Sequence, residues 1–259
     1  MSTEAVLVER PMQHVLLVTI NRPEKRNAVN GDVASGIEAA VRLAESDKSI
    51  RAVVLAAAGD QSFCAGADLA EVAAGRAAAL VTKDGGFAGI IEARRTKPWI
   101  AAVDAVAVGG GTEICLALDM IVASERARFG LPEVKRGIIA GGAGVFRMAQ
   151  RIPPSIALEM LTTGESITAA RAYELGLVNR VVPTGEAVSA ALALASQIAE
   201  NAPVAVQQSL CVARQANSLS EEALFAEMRA AGKIVRESSD AQEGPRAFLE
   251  KRKPVWTGS

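Results

Sequence analysis

The sequence predicts an α/β fold, because short apolar runs of strand length alternate with helix-forming segments through most of the chain. Half of the 259 residues are apolar, so the chain can bury a sizeable core. After Pro154 strand-like runs nearly disappear. We therefore expect an α/β core in residues 1–200 and a helical region, assigned to oligomerisation, in residues 201–259.

The N-terminal part predicts two strands and a helix. Strands are expected at 6–9 and 15–21, with His14 in the turn between them and Pro23 after the second. Asn30 is expected to cap a helix that runs to about Glu45, with Val33, Ile37, Val41 and Ala44 on one face.

The middle of the chain contains further buried strands. Residues 51–57 predict a strand followed by an irregular segment at 59–62, and residues 69–80 a helix broken at Gly75. We predict a helix over 87–95 and a single strand over 99–108. The remaining expected elements are a helix at 112–118, strands at 120–123, 128–129 and 178–182, and helices at 154–162, 168–175, 184–201, 203–216, 220–238 and 241–250.

Charge and composition disfavour several classes of function. The net charge of −1 gives no general attraction to nucleic acid or to an anionic membrane. The three cysteines are widely spaced, and His14 is the only histidine, so neither a metal site nor a Ser-His-Asp triad is expected. The start of the sequence has no signal-peptide pattern and no run is long enough to span a membrane, which predicts a cytoplasmic protein.

A glycine triplet, 109–111, stands where a predicted strand meets a helix. Bare N–H groups at a helix N-terminus suit an anion or a developing oxyanion. The segment 62–69 offers a similar small-residue bend, in which Ala67 opens a short helix. If the N–H groups of Ala67 and Gly110 meet one oxygen, they form an oxyanion hole. Close packing or nucleotide binding by the triplet is the alternative.

Two glutamates are the candidate acid and base. Glu113 lies in the first turn of the helix after the triplet, and Glu133 follows Pro132 in an irregular stretch. Carboxyl groups that share a pocket can divide the two roles if their environments separate their pKa values. Considered alone, each has a structural alternative. Glu113 could be a carboxylate that stabilises the helix dipole, and Glu133 could be a surface acid. Cys64 and Cys115 are expected to be small buried apolar residues.

Three segments resemble the crotonase (enoyl-CoA hydratase/isomerase) family in order and spacing. They are FCAGADL at 63–69, IAAVDAVAVGGGTEICLALD at 100–119 and FGLPEVKRGI at 129–138. The resemblance implies a spiral of repeated ββα units with C-terminal helices, assembled as a homotrimer or a dimer of trimers. It implies that Ala67 and Gly110 form the oxyanion hole, that Glu113 and Glu133 are catalytic, and that Gly141 lies near the reacting water.

The resemblance also implies an acyl-CoA substrate and no separate cofactor, because CoA is part of the substrate. The residues expected to contact CoA are Lys25, Arg26, Ala28, Ala65, Asp68 and Lys251. The presence of both glutamates favours hydration of a 2-enoyl-CoA. Segments 85–90, 151–164 and 243–256 are also similar to carnitinyl-CoA dehydratases, which gives a first alternative, and enoyl-CoA isomerisation is another.

The sequence departs from the family pattern at two places. Asp104-Ala105 replaces the usual Asn-Gly, and segment 140–147 lacks the usual proline. The change in segment 140–147 is expected to reshape the wall near the acyl group, and the departures leave the oxyanion hole unaffected. Outside the family, the alternatives are an NAD-binding oxidoreductase, whose G-x-G-x-x-G pattern is incomplete here, and a non-catalytic acyl-CoA-binding protein.

Overall fold

Short strands and helices alternate in the computed structural model, which describes residues 4–259. Residues 1–3 lie outside the described residues. They belong to the N-terminal segment for which no signal-peptide pattern was found in the sequence. The strands are β1 Val6–Met12, β2 Val15–Ile20, β3 Ala52–Ala57, β4 Ser62–Cys64, β5 Val81–Thr82, β6 Gly86–Phe87, β7 Trp99–Val103, β8 Val106–Val108, β9 Met120–Ser124, β10 Arg128–Gly130, β11 Ile167–Thr168 and β12 Arg180–Val182. The helices are α1 Gly31–Ser46, α2 Leu69–Ala73, α3 Gly110–Ala117, α4 Gly144–Arg151, α5 Pro154–Thr163, α6 Ala169–Glu174, α7 Ala187–Ala199, α8 Pro203–Ala213, α9 Glu221–Glu237 and α10 Asp240–Leu249.

The strands are divided between two main sheets. The larger sheet has the order β1-β2-β3-β7-β9-β12, and the smaller has the order β11-β10-β8-β4. Successive pairs of strands, β3 with β4, β7 with β8 and β9 with β10, place their first strand in the larger sheet and their second in the smaller. A helix or helical turn follows each pair, which is the repeated ββα spiral that the resemblance implies.

The first helix illustrates how the sequence determines an element. The Asn30 side chain accepts a hydrogen bond from the N–H of Val33 at 3.0 Å and so satisfies one of the free amides at the start of α1. Val33, Ile37 and Ala44 are fully buried, and Val41 is 6% exposed. The predicted cap and the predicted buried face of this helix are therefore confirmed.

Two predicted elements are wrong. Residues 87–95 form β6 and a series of turns rather than a helix, because Gly86, Ala88 and Gly89 adopt positive φ angles of 65°, 56° and 69° that no α-helix contains. The predicted strand 99–108 is two strands, β7 and β8, separated by a bend at Asp104. The carbonyl of Asp104 accepts a hydrogen bond from Ser124 Oγ at 2.9 Å, which holds this bend.

Other boundaries also differ from the prediction. β4 begins at Ser62, the last residue of the segment predicted to be irregular, and α4 was not predicted as a helix. Of the predicted helix 69–80, only α2 and a 3₁₀ turn at Ala77–Leu80 form, on either side of Gly75 at φ 76°. His14 lies in the turn between β1 and β2, as expected, and the thiols of Cys64 and Cys115 are buried.

The C-terminal helices form close to the predicted ranges and contact the core through polar groups. Arg214 pairs with Asp119 at 2.8 Å. Trp256 donates from its indole nitrogen to the carbonyl of Glu200 at 2.8 Å, and its own carbonyl accepts from Arg51. The division at about residue 200 stays a prediction. No helix within residues 4–259 has both the length and the apolar character needed to cross a bilayer.

Candidate active site

Three neighbouring strands of the smaller sheet bring the three motifs together. β4 and β10 both pair with β8 in parallel, with Ser62 and Arg128 opposite Val106. The carboxyl ends of parallel strands lie at one edge of a sheet, and ligands commonly bind there. The segments that carry Ala67, Glu113 and Glu133 each follow one of these strands, so the fold places them at the same edge.

A single cavity of about 590 Å³ opens at this edge. Ten of the eleven residues predicted to form the site line it. They are Lys25, Arg26, Ala28, Ala65, Ala67, Asp68, Gly110, Glu113, Glu133 and Gly141. Lys251, the eleventh, lies beyond the end of α10 and does not line the cavity of its own chain. The roles of these residues stay predictions, while their proximity is a property of the structure.

Two residues that line this cavity, Ala67 and Gly110, have a main-chain N–H without a partner among the described residues. Gly110 is the first residue of α3, where an N–H has no acceptor within the helix. Ala67 forms a bridge with Val29, in which the N–H groups of Val29 and Asp68 carry the hydrogen bonds. Neither the Ala67 nor the Gly110 N–H donates to another described residue. Both are therefore available to an external oxygen.

Close contact between the two loops requires glycine. Gly66 has φ 90°, and a Cβ placed there would lie 3.0 Å from the nitrogen of Gly110. A Cβ at Gly111 would lie 2.1 Å from the carbonyl oxygen of Cys64. Larger residues at these positions would separate the loops, so the small residues of both motifs bring the two amides close together.

Glu113 is the more deeply buried carboxyl group of the pair. Its side chain accepts a hydrogen bond from the N–H of Gly144, at the start of α4, at 2.9 Å. The residue is 4% exposed, and this burial raises the pKa of its carboxyl to about 7. The Gly144 N–H opposes that rise in pKa, and the charge of Glu133 adds to it. Gly142 also packs on this carboxyl, whereas Gly141 only lines the cavity.

A hydroxyl group links the two glutamate-bearing segments. Thr112 Oγ1 donates to the carbonyl of Ala107 at 2.7 Å and accepts from the N–H of Gly130 at 3.0 Å. This contact fixes the end of β10 beside the first turn of α3. Glu133 comes three residues after Gly130 and so reaches the cavity next to Gly109, where its Oε1 lies 3.1 Å from the position that a Cβ would occupy.

Glu133 retains an unused acceptor. Its Oε2 is buried and has no hydrogen-bond partner within residues 4–259. Burial raises the pKa of its carboxyl, and Arg136 partly offsets this. Burial therefore disfavours the ionised form of both carboxyl groups, and the two environments differ. Such a pair can give and take a proton at opposite ends of one substrate.

The raised pKa of Glu113 predicts a pH-dependent stability. Its neutral form is favoured by folding, so this contribution is complete below about pH 4.5 and is lost as the pH rises through about 7. The Glu113→Gln protein, which keeps an acceptor for Gly144, is therefore expected to gain stability relative to the wild type between pH 5 and pH 8. Since one pKa unit is about 1.4 kcal/mol, the gain reaches about 3 kcal/mol at most. Urea unfolding of both proteins at pH 5 and at pH 8 measures this gain. A stability difference between the two proteins that does not change with pH would contradict the prediction.

Three basic residues, Lys25, Arg26 and Arg136, also line the cavity. Lys25 and Arg26 are exposed, and the carbonyl of Arg26 accepts from the N–H of Ala65 at 3.1 Å. Asp68 is buried, which opposes its ionisation, but two hydrogen bonds of 3.1 Å from Arg22 hold the pKa of its carboxyl below the usual value. This ion pair occupies the Asp68 side chain, so only its backbone is free to contact a ligand.

Comparison with known proteins identifies the family. The enoyl-CoA hydratase/isomerase family profile matches residues 10–259. The chain belongs to this family. It is 41% identical to a carnitinyl-CoA dehydratase of Proteus mirabilis over 94% of this chain and 95% of that one. It is also 41% identical to the enoyl-CoA hydratase EchA19 of Mycobacterium tuberculosis, over 96% of this chain and 94% of that one.

A solved structure supports the same conclusion. The crystal structure of an enoyl-CoA hydratase from Mycobacterium tuberculosis H37Rv superposes with a TM-score of 0.95 and 43% identity, over 99% of this chain and all of that one. The expected crotonase-type fold is thereby confirmed. Membership of the enoyl-CoA hydratase/isomerase family gives no support to the dinucleotide-binding alternative for the glycine triplet.

Sequence reasoning missed several residues of this crotonase-family site. Phe87 lines the cavity and packs on Gly110, where a Cβ would lie 2.5 Å from its ring. Its assignment to a helix concealed this role. Asn27 is fully buried and fixes the basic loop by donating to the carbonyls of Ala58 and Ser62 at 2.9 and 2.8 Å. The only indication of this loop in the sequence was the turn at Arg22-Pro23, which precedes Asn27.

Proposed function

We propose that this chain is an enoyl-CoA hydratase, which adds water reversibly across the double bond of a 2-enoyl-CoA thioester. One observation carries the proposal: two unpartnered amides, of Ala67 and Gly110, share a cavity with the carboxyl groups of Glu113 and Glu133. An oxyanion hole and an acid–base pair are the parts that this reaction requires. The names of the relatives, which include enoyl-CoA hydratase and carnitinyl-CoA dehydratase, support it.

The proposed reaction adds a hydroxyl group to Cβ and a proton to Cα. A water molecule lies between the two glutamates; one carboxylate takes its proton as the hydroxyl group bonds to Cβ. The electrons of the double bond move towards the thioester, and the Ala67 and Gly110 N–H groups stabilise the oxygen of the resulting enolate. The other carboxyl group then protonates Cα. The first step forms the Cβ–O bond with loss of one proton and the second adds a proton to Cα, with no net oxidation or reduction, so the proposal requires no cofactor beyond the CoA that the substrate carries.

The direct test uses the purified chain with crotonyl-CoA. Hydration removes the conjugated double bond, so the ultraviolet absorption of the enoyl thioester should fall until equilibrium is reached. Loss of that absorption, together with formation of the hydroxyacyl-CoA by mass spectrometry, supports hydration. A shift of the double bond without added water would favour the isomerase alternative. Binding without any change would favour a non-catalytic acyl-CoA-binding protein.

We also propose that the enzyme is a homotrimer or a dimer of trimers. Several apolar side chains of α9 and α10 are 47–82% exposed in the single chain, among them Phe225, Met228, Phe248 and Leu249. Exposed apolar groups of this kind mark interaction surfaces. Light scattering of the full chain tests this, and a monomer would contradict it. In such an assembly, Lys251 is proposed to reach the CoA phosphates of a neighbouring subunit. A cytoplasmic location stays a prediction.

A further inference from the structure

Five apolar residues that line the catalytic cavity are called the apolar lip here. They are Leu69, Val81, Phe87, Ile138 and Ile139, and all of them line the cavity. The four aliphatic members are 54–69% exposed, although comparable side chains in the core are completely buried. Apolar surface that is grouped at a cavity mouth and left open to water indicates a binding surface. The apolar lip therefore needs an occupant.

The position of the lip indicates that this occupant is the acyl tail. Phe87 packs on Gly110, which carries one of the two free amides, and pairs with Val81 in the β5–β6 ladder. The N–H of Ile138 donates to the carbonyl of Glu133 at 3.3 Å. The apolar lip thus adjoins Gly110 and Glu133, beside which the reacting carbons are proposed to lie.

The charges around the cavity limit what the tail can be. Of the three carboxyl groups that line it, Asp68 is paired with Arg22, and Glu113 and Glu133 stand at the reacting centre. None belongs to the apolar lip. Phe87 is the only aromatic residue among the described residues that line the cavity. Proteins hold quaternary ammonium groups with several aromatic faces, and this lip offers one ring.

We propose that the site selects an uncharged aliphatic acyl tail and discriminates against the trimethylammonium group of the carnitinyl-CoA series. This inference rests on the proposed hydratase function and narrows its substrate class. It separates the two activities named among the relatives, which differ in the group attached beyond Cβ. An ammonium group at the apolar lip would lose hydration against aliphatic side chains. The guanidinium group of Arg136, two residues before Ile138, also lines the cavity and would repel it.

The experiment compares three thioesters on the same enzyme. The first is crotonyl-CoA, the second is the trimethylammonium-bearing enoyl-CoA formed when carnitinyl-CoA loses water, and the third is its uncharged isostere with a tert-butyl group. Because the second and third have the same shape, their ratio of kcat/KM isolates the charge. We expect the uncharged isostere to be preferred at least about tenfold. Lengthening the crotonyl chain should raise kcat/KM about fourfold for each methylene buried on the lip.

A matched pair of variants tests the site directly. Ile139 is 69% exposed, so Ile139→Glu and Ile139→Gln should both fold. The Glu variant adds a carboxylate to the apolar lip and is expected to raise kcat/KM for the ammonium substrate relative to the isostere. The Gln variant has nearly the same size without the charge and should leave that ratio unchanged.

The outcomes separate this inference from the proposed function. Equal use of the ammonium substrate and its isostere, or a preference for the ammonium form, would overturn the inference while leaving hydration intact. Equal ratios in the two Ile139 variants would show that the lip does not hold the tail. Absence of any hydration, including that of crotonyl-CoA, would instead overturn the proposed function itself.

Discussion

The Glu133→Gln protein is expected to hydrate crotonyl-CoA at least about 100-fold more slowly than the wild type, which is the lower range for loss of a general acid or base. Glutamine keeps the size of the side chain but cannot exchange a proton with substrate. The affected oxygen is the buried Oε2, which has no partner within residues 4–259 and is free to contact the reacting water. The initial rate of loss of enoyl-thioester absorption measures the effect.

The matched control for this substitution is Glu165→Gln. Glu165 lies outside the cavity, on the protein surface, where it pairs with Lys135 at 2.5 Å. An exposed ion pair contributes little, so this variant should retain wild-type turnover. Both variants should bind CoA as the wild type does, which calorimetry can establish. Near-normal turnover in Glu133→Gln would show that Glu133 is not part of the acid–base pair.

The parallel sheet explains why the two glutamates could be named but not brought together from sequence. Glu113 and Glu133 are twenty positions apart, and the sequence only marks one as following a glycine turn and the other as following Pro132. Their proximity depends on the parallel pairing of β8 with β10 and on the hydroxyl of Thr112, which binds both segments. Short strands of three residues give almost no periodic signal for such a pairing.

Local conformation accounts for the errors on the acyl side. Phe87, Ile90 and Ile91 have helical spacing in the sequence, yet the positive φ angles between Gly86 and Gly89 make turns. Ala88 adopts φ 56° although it is not glycine, so tertiary packing rather than residue preference fixes this conformation. The helix prediction therefore placed Phe87 in the wrong element. By contrast, the capped and amphipathic α1 was predictable, because its signals are local.

The apolar lip was hidden from the sequence for a related reason. Ile138 and Ile139 look like ordinary core residues in the sequence, and only the structure shows that they are 55% and 69% exposed. The segment that follows them lacks the usual proline of the family and leads into α4 through Ala143 at φ 75°. Sequence comparison located the change in the acyl wall, but its physical character required coordinates.

The second large effect is expected at Gly110, whose N–H is proposed to bind the thioester oxygen. Gly110→Pro removes that donor, while proline itself is compatible with the first position of α3. Removing one donor from an oxyanion hole lowers kcat by about 100- to 1,000-fold. Any added Cβ would also meet the ring of Phe87 at 2.5 Å, so a loss of activity alone would be ambiguous.

Gly110→Ala resolves this ambiguity, because it adds a comparable Cβ and keeps the N–H. Displacement of Phe87 is then largely common to both variants, and the difference between them isolates the hydrogen bond. We expect Gly110→Pro to bind enoyl-CoA with an unpolarised carbonyl, seen as a higher C=O stretching frequency in isotope-edited infrared spectra than in Gly110→Ala. Equal frequencies and equal turnover in the two variants would mean that the thioester oxygen does not use this amide, and the oxyanion hole would have to be sought elsewhere at the edge of the smaller sheet.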